Sequence, residues 1–243
     1  MTKKKIAFVT GGSGGIGKSI CLKLIKSGFY VAVGYKTNKK DATNLTKKNH
    51  AIAIQVDVSS RKSIKKSIQS CKKFFGQNID VLINNAAISQ EKSFEKISDA
   101  DWDHMLVSNL RSAFSFSQEV IPYMIKSKWG RIVNVVSIGG QWGGCNQIHY
   151  AASKAGLINL TTSLAKLYSK NGITINAVSP GLVKTEMIAN ELKTTSGKNK
   201  IKQIPIGRIA DTNEIANVVN FLCLDEASYI TGQTINVNGG MYS

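Results

Sequence analysis

The chain has 243 residues, 42% of them hydrophobic, and carries 32 lysines and arginines against 15 aspartates and glutamates. This length suits one α/β domain, and no apolar run is long enough to span a bilayer, so an integral membrane protein is excluded. The four cysteines are scattered without a CxxC pair, which indicates reduced thiols rather than a disulfide framework or a metal site. We therefore expect a cytoplasmic protein with a single domain, residues 1–243, no bound metal and no membrane partner.

The net charge of +17 has two interpretations. A basic surface would attract nucleic acid or an acidic partner protein. Lysine greatly outnumbers arginine, however, and the lysines are spread out, as in KKSIKKSIQSCKKFF, where they fall on one solvated helix face. Coding bias is the favoured interpretation, and no nucleic-acid partner is expected.

Seven apolar, β-rich runs alternate with segments of helical period along the chain. In order, the runs are KIAFVT, YVAVGY, AIAIQV, DVLINN, GRIVNVVS, GITINAVS and QTINVN. Strands that are apolar throughout and separated by helices indicate a parallel sheet covered on both faces. The pattern predicts a Rossmann-type, doubly wound α/β fold of about seven strands, whose ligands bind at the carboxyl ends of the strands.

A glycine-rich turn, TGGSGGIGKSI, joins the first strand to the first helix. Glycines let the backbone turn tightly and approach a pyrophosphate at a helix N-terminus, where N–H groups and the helix dipole favour anions. A tight turn without a ligand is the alternative. The favoured prediction is a dinucleotide site that includes Gly11, Ser13, Gly14, Gly15, Ile16 and Gly17.

The end of the second strand discriminates between nicotinamide cofactors. An NAD site usually offers a carboxylate there to hydrogen bond the ribose 2′-hydroxyl. This chain has Tyr35 and Lys36 instead, and a lysine would pair with a 2′-phosphate. NADP(H) is the predicted cofactor and NAD(H) the less favoured one, while an ordinary solvated loop lysine is the alternative for Lys36.

Two later strand ends complete the predicted cofactor site. Asp57 and Val58 follow the third strand, where an adenine edge would lie. Asn85, Ala86 and Ala87 follow the fourth strand, where small residues would let the nicotinamide ribose approach. The side chain of Asn85 has an equally good interpretation as a turn former at the end of the strand.

The segment YAASKAG places Tyr150 and Lys154 at positions i and i+4 of a predicted helix, and therefore on one face. A cation beside a phenol lowers the tyrosine pKa, and a shift from ~10 toward ~7 requires about 4 kcal/mol of differential stabilisation. The tyrosine would then serve as a general acid and base. Ser137 ends the fifth strand and can donate a hydrogen bond to a carbonyl. Each residue has an ordinary structural alternative, but their conjunction with the glycine turn predicts an oxidoreductase site.

These motifs resemble those of the short-chain dehydrogenase/reductase family over essentially the whole chain. The matching segments are TGGSGGIG, NNAA, VSNL, YAASK and SPG. The resemblance implies a catalytic tetrad of Asn109, Ser137, Tyr150 and Lys154, with Asn109 holding a water that relays protons to Lys154. It also implies cofactor contacts from Tyr150, Lys154, Pro180, Gly181, Val183 and Thr185.

Within the family, segments such as GITINAVSPGLVKTEM and YITGQTINVNGGMYS are most similar to those of 3-oxoacyl-[acyl-carrier-protein] reductases. This likeness implies NADPH-dependent reduction of a 3-oxoacyl thioester in fatty acid synthesis. The thioester would be carried on an acidic acyl carrier protein, docked by basic residues beside the cleft such as Lys128 and Lys170. It also implies a homotetramer, paired through two long helices (about 101–127 and 150–170) and the C-terminal strand, and a flexible substrate lid at about 185–205.

Several alternatives remain open. The same catalytic residues would serve an acetoacetyl-CoA reductase or an enzyme acting on a sugar or another secondary alcohol, since they contact only the carbonyl. A noncatalytic NADP-binding or nucleic-acid-associated protein is disfavoured by the intact tetrad. Trp142, close to the predicted active site, would either narrow an acyl channel or fill the core, and the core is the favoured interpretation.

Overall fold

The computed structural model describes residues 4–47, 50–186 and 194–242. Within these ranges seven strands form one sheet, and each neighbouring pair is parallel. The prediction of a doubly wound α/β fold is confirmed. The strands are β1 (Ile6–Val9), β2 (Tyr30–Tyr35), β3 (Ala51–Gln55), β4 (Val81–Asn84), β5 (Gly130–Val135), β6 (Ile173–Pro180) and β7 (Thr234–Val237).

The strand order is β3-β2-β1-β4-β5-β6-β7. The chain therefore builds outward in one direction from β1 to β3 and in the other from β4 to β7. Val9 of β1 lies level with Val33 of β2 and Ile83 of β4. The loops that follow these strands consequently leave the same edge of the sheet, and the reversal between β1 and β4 opens a crevice there.

Helices cover both faces of the sheet. Those in the described ranges are α1 (Gly15–Lys26), α2 (Lys39–Thr46), α3 (Arg61–Phe75), α4 (Asp99–Leu106), α5 (Ser112–Ser127), α6 (Gly139–Trp142), α7 (Ile148–Tyr168), α8 (Thr195–Lys202) and α9 (Thr212–Leu222). Among the described residues, no helix has the length and apolar character needed to cross a bilayer.

The alternation of side chains along each strand separates two hydrophobic cores. In β1, Ala7 and Val9 point into a core shared with α1, α2 and α9. Ile6 and Phe8 point into the opposite core, shared with α3 and α5, where the ring of Phe8 lies 5.4 Å from that of Phe116. Burial of this strand on both faces explains why its sequence is apolar throughout.

Local signals in the sequence define where helices begin and end. Ser60 caps the start of α3 by accepting a hydrogen bond from the Ser63 N–H, and Gly76 ends that helix with a φ of 69°. The helix expected at about 101–127 is continuous from Asp99 to Ser127, but a π-helical turn, Val107–Arg111, interrupts it between α4 and α5.

The segment predicted to be a substrate lid, residues 185–205, is described only in part. Residues 187–193 lie outside the described residues, while residues 195–202 form α8. Thr185 lies against the glycine turn, since its methyl group would be 3.5 Å from a Cβ added at Gly15. The lid remains a prediction.

Gly17 and Gly14 differ in the space that their surroundings would leave for a side chain. A Cβ at Gly17 would overlap the carbonyl oxygen of Gly11 and lie 2.6 Å from the Asn85 side-chain nitrogen. A Cβ at Gly14 would meet no atom within 4 Å. The glycine at 17 is therefore required for packing of α1 against the turn, whereas the glycine at 14 leaves space for a ligand.

Replacement of Gly17 by alanine is expected to lower the free energy of unfolding by about 1–3 kcal/mol, because the backbone of the turn must move. The matched change Gly14→Ala should alter it by less than about 1 kcal/mol, since only a cap preference is lost. Urea unfolding of both cofactor-free variants measures the difference. Equal stabilities would contradict this account of the turn.

Candidate active site

A cleft of about 1100 Å³ opens at the carboxyl edge of the sheet. It runs from the glycine turn past the ends of β2, β3 and β4 to the start of α7. The predicted site residues that line it are Gly11, Ser13, Gly14, Gly15, Ile16, Tyr35, Lys36, Asp57, Val58, Asn85, Ala86, Ala87, Ser137, Tyr150, Lys154, Pro180, Gly181, Val183 and Thr185. Gly17 and Asn109 lie behind its wall.

The glycine turn presents an unblocked helix N-terminus to this cleft. α1 has Gly14 as its N-cap, no side chain caps its first N–H groups, and its first turn contains no acidic residue. Gly11 and Gly15 adopt positive φ values of 62° and 51°. The N–H groups and the helix dipole are thus available to an anion, so this end of the cleft fits the pyrophosphate of a dinucleotide.

Thr10 and Asn85 hold the turn against the end of β4. The Thr10 hydroxyl accepts hydrogen bonds from the N–H groups of Asn85 and Ala86, both at 3.0 Å, and donates to the Ile83 carbonyl. The Asn85 amide donates to the carbonyl oxygens of Thr10 and Gly11 at 3.0 and 3.1 Å. Sequence analysis identified Asn85 as a cofactor contact or turn former, but it did not identify Thr10 as its partner.

Lys36 and Asp57 form an ion pair at the far end of the cleft. Their charged atoms are 3.0 Å apart, with 60% and 39% of the side chains exposed. A hydrogen bond from the Ser59 hydroxyl, together with Lys36, lowers the pKa of Asp57 to about 2. Two residues expected to contact different parts of a cofactor are thus paired with each other.

Ser137 and Tyr150 form the hydroxyl pair at the centre of the cleft. Ser137 lies two residues beyond β5, and its oxygen accepts a hydrogen bond from the Gly139 N–H at 3.2 Å. Burial raises the pKa of Tyr150, and a hydrogen bond with Ser137 opposes that change. Without a cofactor, burial thus raises the tyrosine pKa. A lowering by Lys154 together with a positively charged nicotinamide stays a prediction.

Lys154 lies on the same face of α7 as Tyr150, as the spacing predicted. Its Nζ atom is 5.7 Å from the centre of the Tyr150 ring and donates a 2.8 Å hydrogen bond to the Val135 carbonyl. The residue is only 2% exposed, and burial lowers its pKa from 10.5 to about 8. A buried ammonium thus joins α7 to the end of β5, directly beside the tyrosine.

Asn109 is in the π-helical turn and supports the first turns of α7. Its amide oxygen accepts from the Ile88 N–H at 2.9 Å, and its nitrogen donates to the Ile88 carbonyl at 2.9 Å. The same nitrogen is 3.1 Å from the Ser153 hydroxyl, which donates to the Tyr150 carbonyl at 2.6 Å. The side chain thus ties the loop after β4 to the first turns of α7, and its nitrogen has used its hydrogens within the protein.

Known proteins resemble this chain over nearly its whole length. The family described as Enoyl-(Acyl carrier protein) reductase matches residues 11–242. Similar proteins named 3-oxoacyl-[acyl-carrier-protein] reductase FabG occur in Staphylococcus epidermidis (40% identical, 98% of this chain and 99% of the relative) and Staphylococcus aureus (40%, 100% of both). Another, from Buchnera aphidicola, is 42% identical over 99% of this chain and 98% of the relative.

The chain belongs to the short-chain dehydrogenase/reductase family. It is accordingly an NAD(P)-dependent oxidoreductase that acts on a ketone or an alcohol. The turn at residues 10–17 and the helix N-terminus it presents fit the phosphates of the nicotinamide dinucleotide. Within the described residues, no cluster of metal-ligating side chains accompanies the site.

The sequence analysis missed a buried histidine next to Tyr150. His149 is fully buried, and its Nε2 atom is 2.9 Å from the Gln90 amide oxygen. Gln90 donates through its nitrogen to an Asp101 carboxylate oxygen, which accepts only, so the Gln90 oxygen faces His149 and the histidine donates. This chain of contacts fixes the loop after β4 to α7 in this dehydrogenase/reductase. No spacing motif links positions 90, 101 and 149.

Two expectations about residues near the cleft are wrong. Trp142 is 52% exposed and lines the cleft, so it does not fill the core, because α6 holds it outside the three hydrophobic clusters. Lys128 and Lys170 do not flank the cleft. They precede β5 and β6, at the opposite edge of the sheet from the carboxyl ends.

The depressed pKa of Lys154 makes a prediction about stability. Between pH ~8 and ~10.5 the unfolded chain binds a proton at this residue that the folded chain has released, so this contribution to stability rises with pH. Relative to a Lys154→Met variant, the wild-type unfolding free energy should rise by up to about 3 kcal/mol across this window.

Urea unfolding of the cofactor-free proteins at several pH values measures this difference. Lys166→Met, a change of an exposed lysine on the same helix, serves as the control and should show no comparable trend. A difference between the wild type and Lys154→Met that does not vary with pH would contradict the assigned pKa.

Proposed function

We propose that this protein reduces the keto group of a 3-oxoacyl thioester to a 3-hydroxyacyl thioester with NADPH, in fatty acid synthesis. The observation that carries the proposal is that the glycine turn, Ser137, Tyr150 and Lys154 line one continuous cleft. Sequence similarity supports the substrate class, because the Staphylococcus aureus and Buchnera relatives bear the name 3-oxoacyl-[acyl-carrier-protein] reductase at 40% and 42% identity.

The hydroxyl pair supplies the acid for this reaction. When bound, the reduced nicotinamide provides the hydride that adds to the keto carbon. A keto oxygen placed between Ser137 and Tyr150 would accept hydrogen bonds from both hydroxyl groups. As the oxygen becomes an alkoxide, Tyr150 transfers its proton to it, so that one C–H and one O–H bond replace the carbonyl π bond.

The raised pKa of Tyr150 suits this direction of reaction. A phenol that stays protonated at neutral pH is ready to donate, and an alkoxide is basic enough to take the proton. Lys154 then stabilises the phenolate that is left, because its ammonium lies beside the ring in a buried site. The hydrogens of the Asn109 side-chain nitrogen are already used, so a relay water at this residue would donate to an oxygen atom.

The choice of NADPH rests on Lys36. This cation lies at the end of β2 and lines the cleft, and within the described residues its ion-pair partner is the partly exposed carboxylate of Asp57. An exposed ion pair is weak, so a 2′-phosphate with two negative charges would replace Asp57 at little cost. The proposed preference over NADH follows from this exchange.

Replacement of Lys36 by alanine should lower kcat/KM for NADPH by about ten- to a hundredfold and change that for NADH less than about threefold. Lys39→Ala removes the same charge from the nearby α2 without touching the cleft and should leave both values near those of the wild type. Steady-state kinetics with each cofactor measures the effect. Equal losses with NADPH and NADH would contradict a 2′-phosphate contact.

We also propose that the acyl thioester is carried on an acidic acyl carrier protein and that the protein forms a homotetramer. A groove of about 490 Å³ between α4, α5 and α7 supports the assembly, because Leu106, Leu110, Phe114 and Leu160 line it and Phe114 is 43% exposed. An apolar surface of this kind is typical of a contact between protein chains. Pairing through two helices would cover it.

The catalytic proposal is tested by Tyr150→Phe, which removes the hydroxyl that donates the proton. Turnover of acetoacetyl-carrier protein should fall at least about a thousandfold, while NADPH affinity should change less than about threefold. Tyr229→Phe, at a fully exposed position, is the control for loss of one tyrosine hydroxyl group. Substantial residual turnover by Tyr150→Phe would contradict its role as the acid.

A substrate panel tests the proposed substrate. NADPH oxidation by the wild type should be fastest with acetoacetyl-carrier protein, compared with acetoacetyl-CoA, crotonyl-CoA and simple ketones or sugars. Preference for acetoacetyl-CoA would indicate a coenzyme A thioester reductase instead. Preference for crotonyl-CoA would agree with the enoyl reductase named in the family description and overturn the keto assignment.

A further inference from the structure

Trp142 is a large aromatic side chain exposed inside the cleft. It ends α6, lines the same cleft as Tyr150 and is 52% exposed. An indole ring has more apolar surface than most side chains, and exposing half of it to water is unfavourable unless something covers it. The catalytic mechanism assigns it no role.

The backbone that presents Trp142 is firmly held. A Cβ at Gly140 would lie 2.8 Å from the Lys154 carbonyl carbon, so α6 packs directly on the catalytic turn of α7. Gln141, the residue before Trp142, accepts a 2.8 Å hydrogen bond from the buried Ser179 hydroxyl. The backbone that carries the indole ring is therefore packed against the helix turn that holds Lys154.

The C-terminal segment supports the ring from the other side. The rings of Trp142 and Tyr242 meet edge to face, with centroids 6.2 Å apart and planes at 86°. Asn238 holds this segment in a turn by donating to the Tyr242 carbonyl at 2.8 Å. A Cβ at Gly181 would lie 3.0 Å from Asn238, so the segment is packed on the end of the β6 wall of the cleft.

Part of the cleft wall that follows Trp142 in the chain is polar. Gln147 lines the cleft and donates a hydrogen bond to Glu91, which lines it as well. An alkyl chain that passed Trp142 would have to displace a ring held by Tyr242 or lie against polar groups, and both are unfavourable.

We propose that Trp142, held in place by Tyr242, limits the length of the acyl chain and makes the protein selective for short 3-oxoacyl thioesters. This inference rests on the proposed function, because it assigns the part of the substrate that extends beyond the keto group. The hydroxyl pair recognises the carbonyl, and the indole ring selects among the chains attached to it.

The experiment compares kcat/KM for 3-oxodecanoyl-CoA and acetoacetyl-CoA, so that no carrier protein affects the result. Trp142→Ala should raise the ratio of the long to the short substrate by at least about tenfold, the size expected when a few methylene groups gain a pocket. Tyr242→Ala should raise the ratio in the same direction by a smaller factor. Tyr242→Phe retains the ring, and Phe74→Ala removes an exposed aromatic on α3, so neither should change it.

Trp142→Met provides a second variant with less bulk and an apolar side chain, should the alanine variant fold poorly. An unchanged ratio, or a ratio that falls in both Trp142 variants, would overturn the length-limiting role. If the wild type reduces neither coenzyme A thioester, the same ratio is measured with the two acyl groups on the carrier protein. No turnover there would mean that the proposed function itself fails and that this inference falls with it. Activity on both thioesters with no change of ratio in the variants rejects the inference alone.

Discussion

The hydrogen bond from the Lys154 ammonium to the Val135 carbonyl joins the catalytic helix to the sheet. An ammonium that is 2% exposed carries a considerable desolvation cost, visible in its lowered pKa. The desolvated ammonium lies where α7 contacts the carboxyl end of β5. The bond sets the position of Tyr150 one turn earlier on the helix, and with it the distance between the phenol and Ser137.

Other buried polar contacts also join α7 to the sheet. Asn84 donates to the Asn134 side chain at 2.8 Å, and Asn134 donates to the Thr161 hydroxyl at 2.8 Å, which connects β4, β5 and α7. Each of these polar side chains is buried and has a partner within the protein. Hydrogen-bonded pairs have one favourable geometry, whereas apolar contacts tolerate small displacements. These pairs therefore restrict the positions of the strand ends more than the hydrophobic cores do.

The high positive charge is carried mainly on solvated faces. In α3, Ile64 and Cys71 are buried, while the lysines of that helix lie exposed on the opposite side. Among the described residues, Lys36 and Lys154 both line the cleft, and their environments differ. Lys36 is exposed and paired with a carboxylate, whereas Lys154 is buried beside the Tyr150 ring.

The sequence by itself determined the sheet, the glycine turn and the Tyr150–Lys154 pair. These depend on local periods: apolar runs that form buried strands, glycines where the backbone turns, and a four-residue spacing that places two side chains on one helix face. The seven strands fall in the seven apolar runs, and Tyr150 and Lys154 share a face as expected. Such patterns are visible without knowing which elements become neighbours.

Tertiary structure decided the properties that depend on distant parts of the chain. Burial by several elements raised the Tyr150 pKa, and the meeting of two loops paired Lys36 with Asp57. Trp142 lies in the cleft rather than the core because its short helix packs on Lys154 through Gly140. Desolvation and long-range contacts depend on every element packed around a residue. A local sequence pattern does not show which distant elements these are.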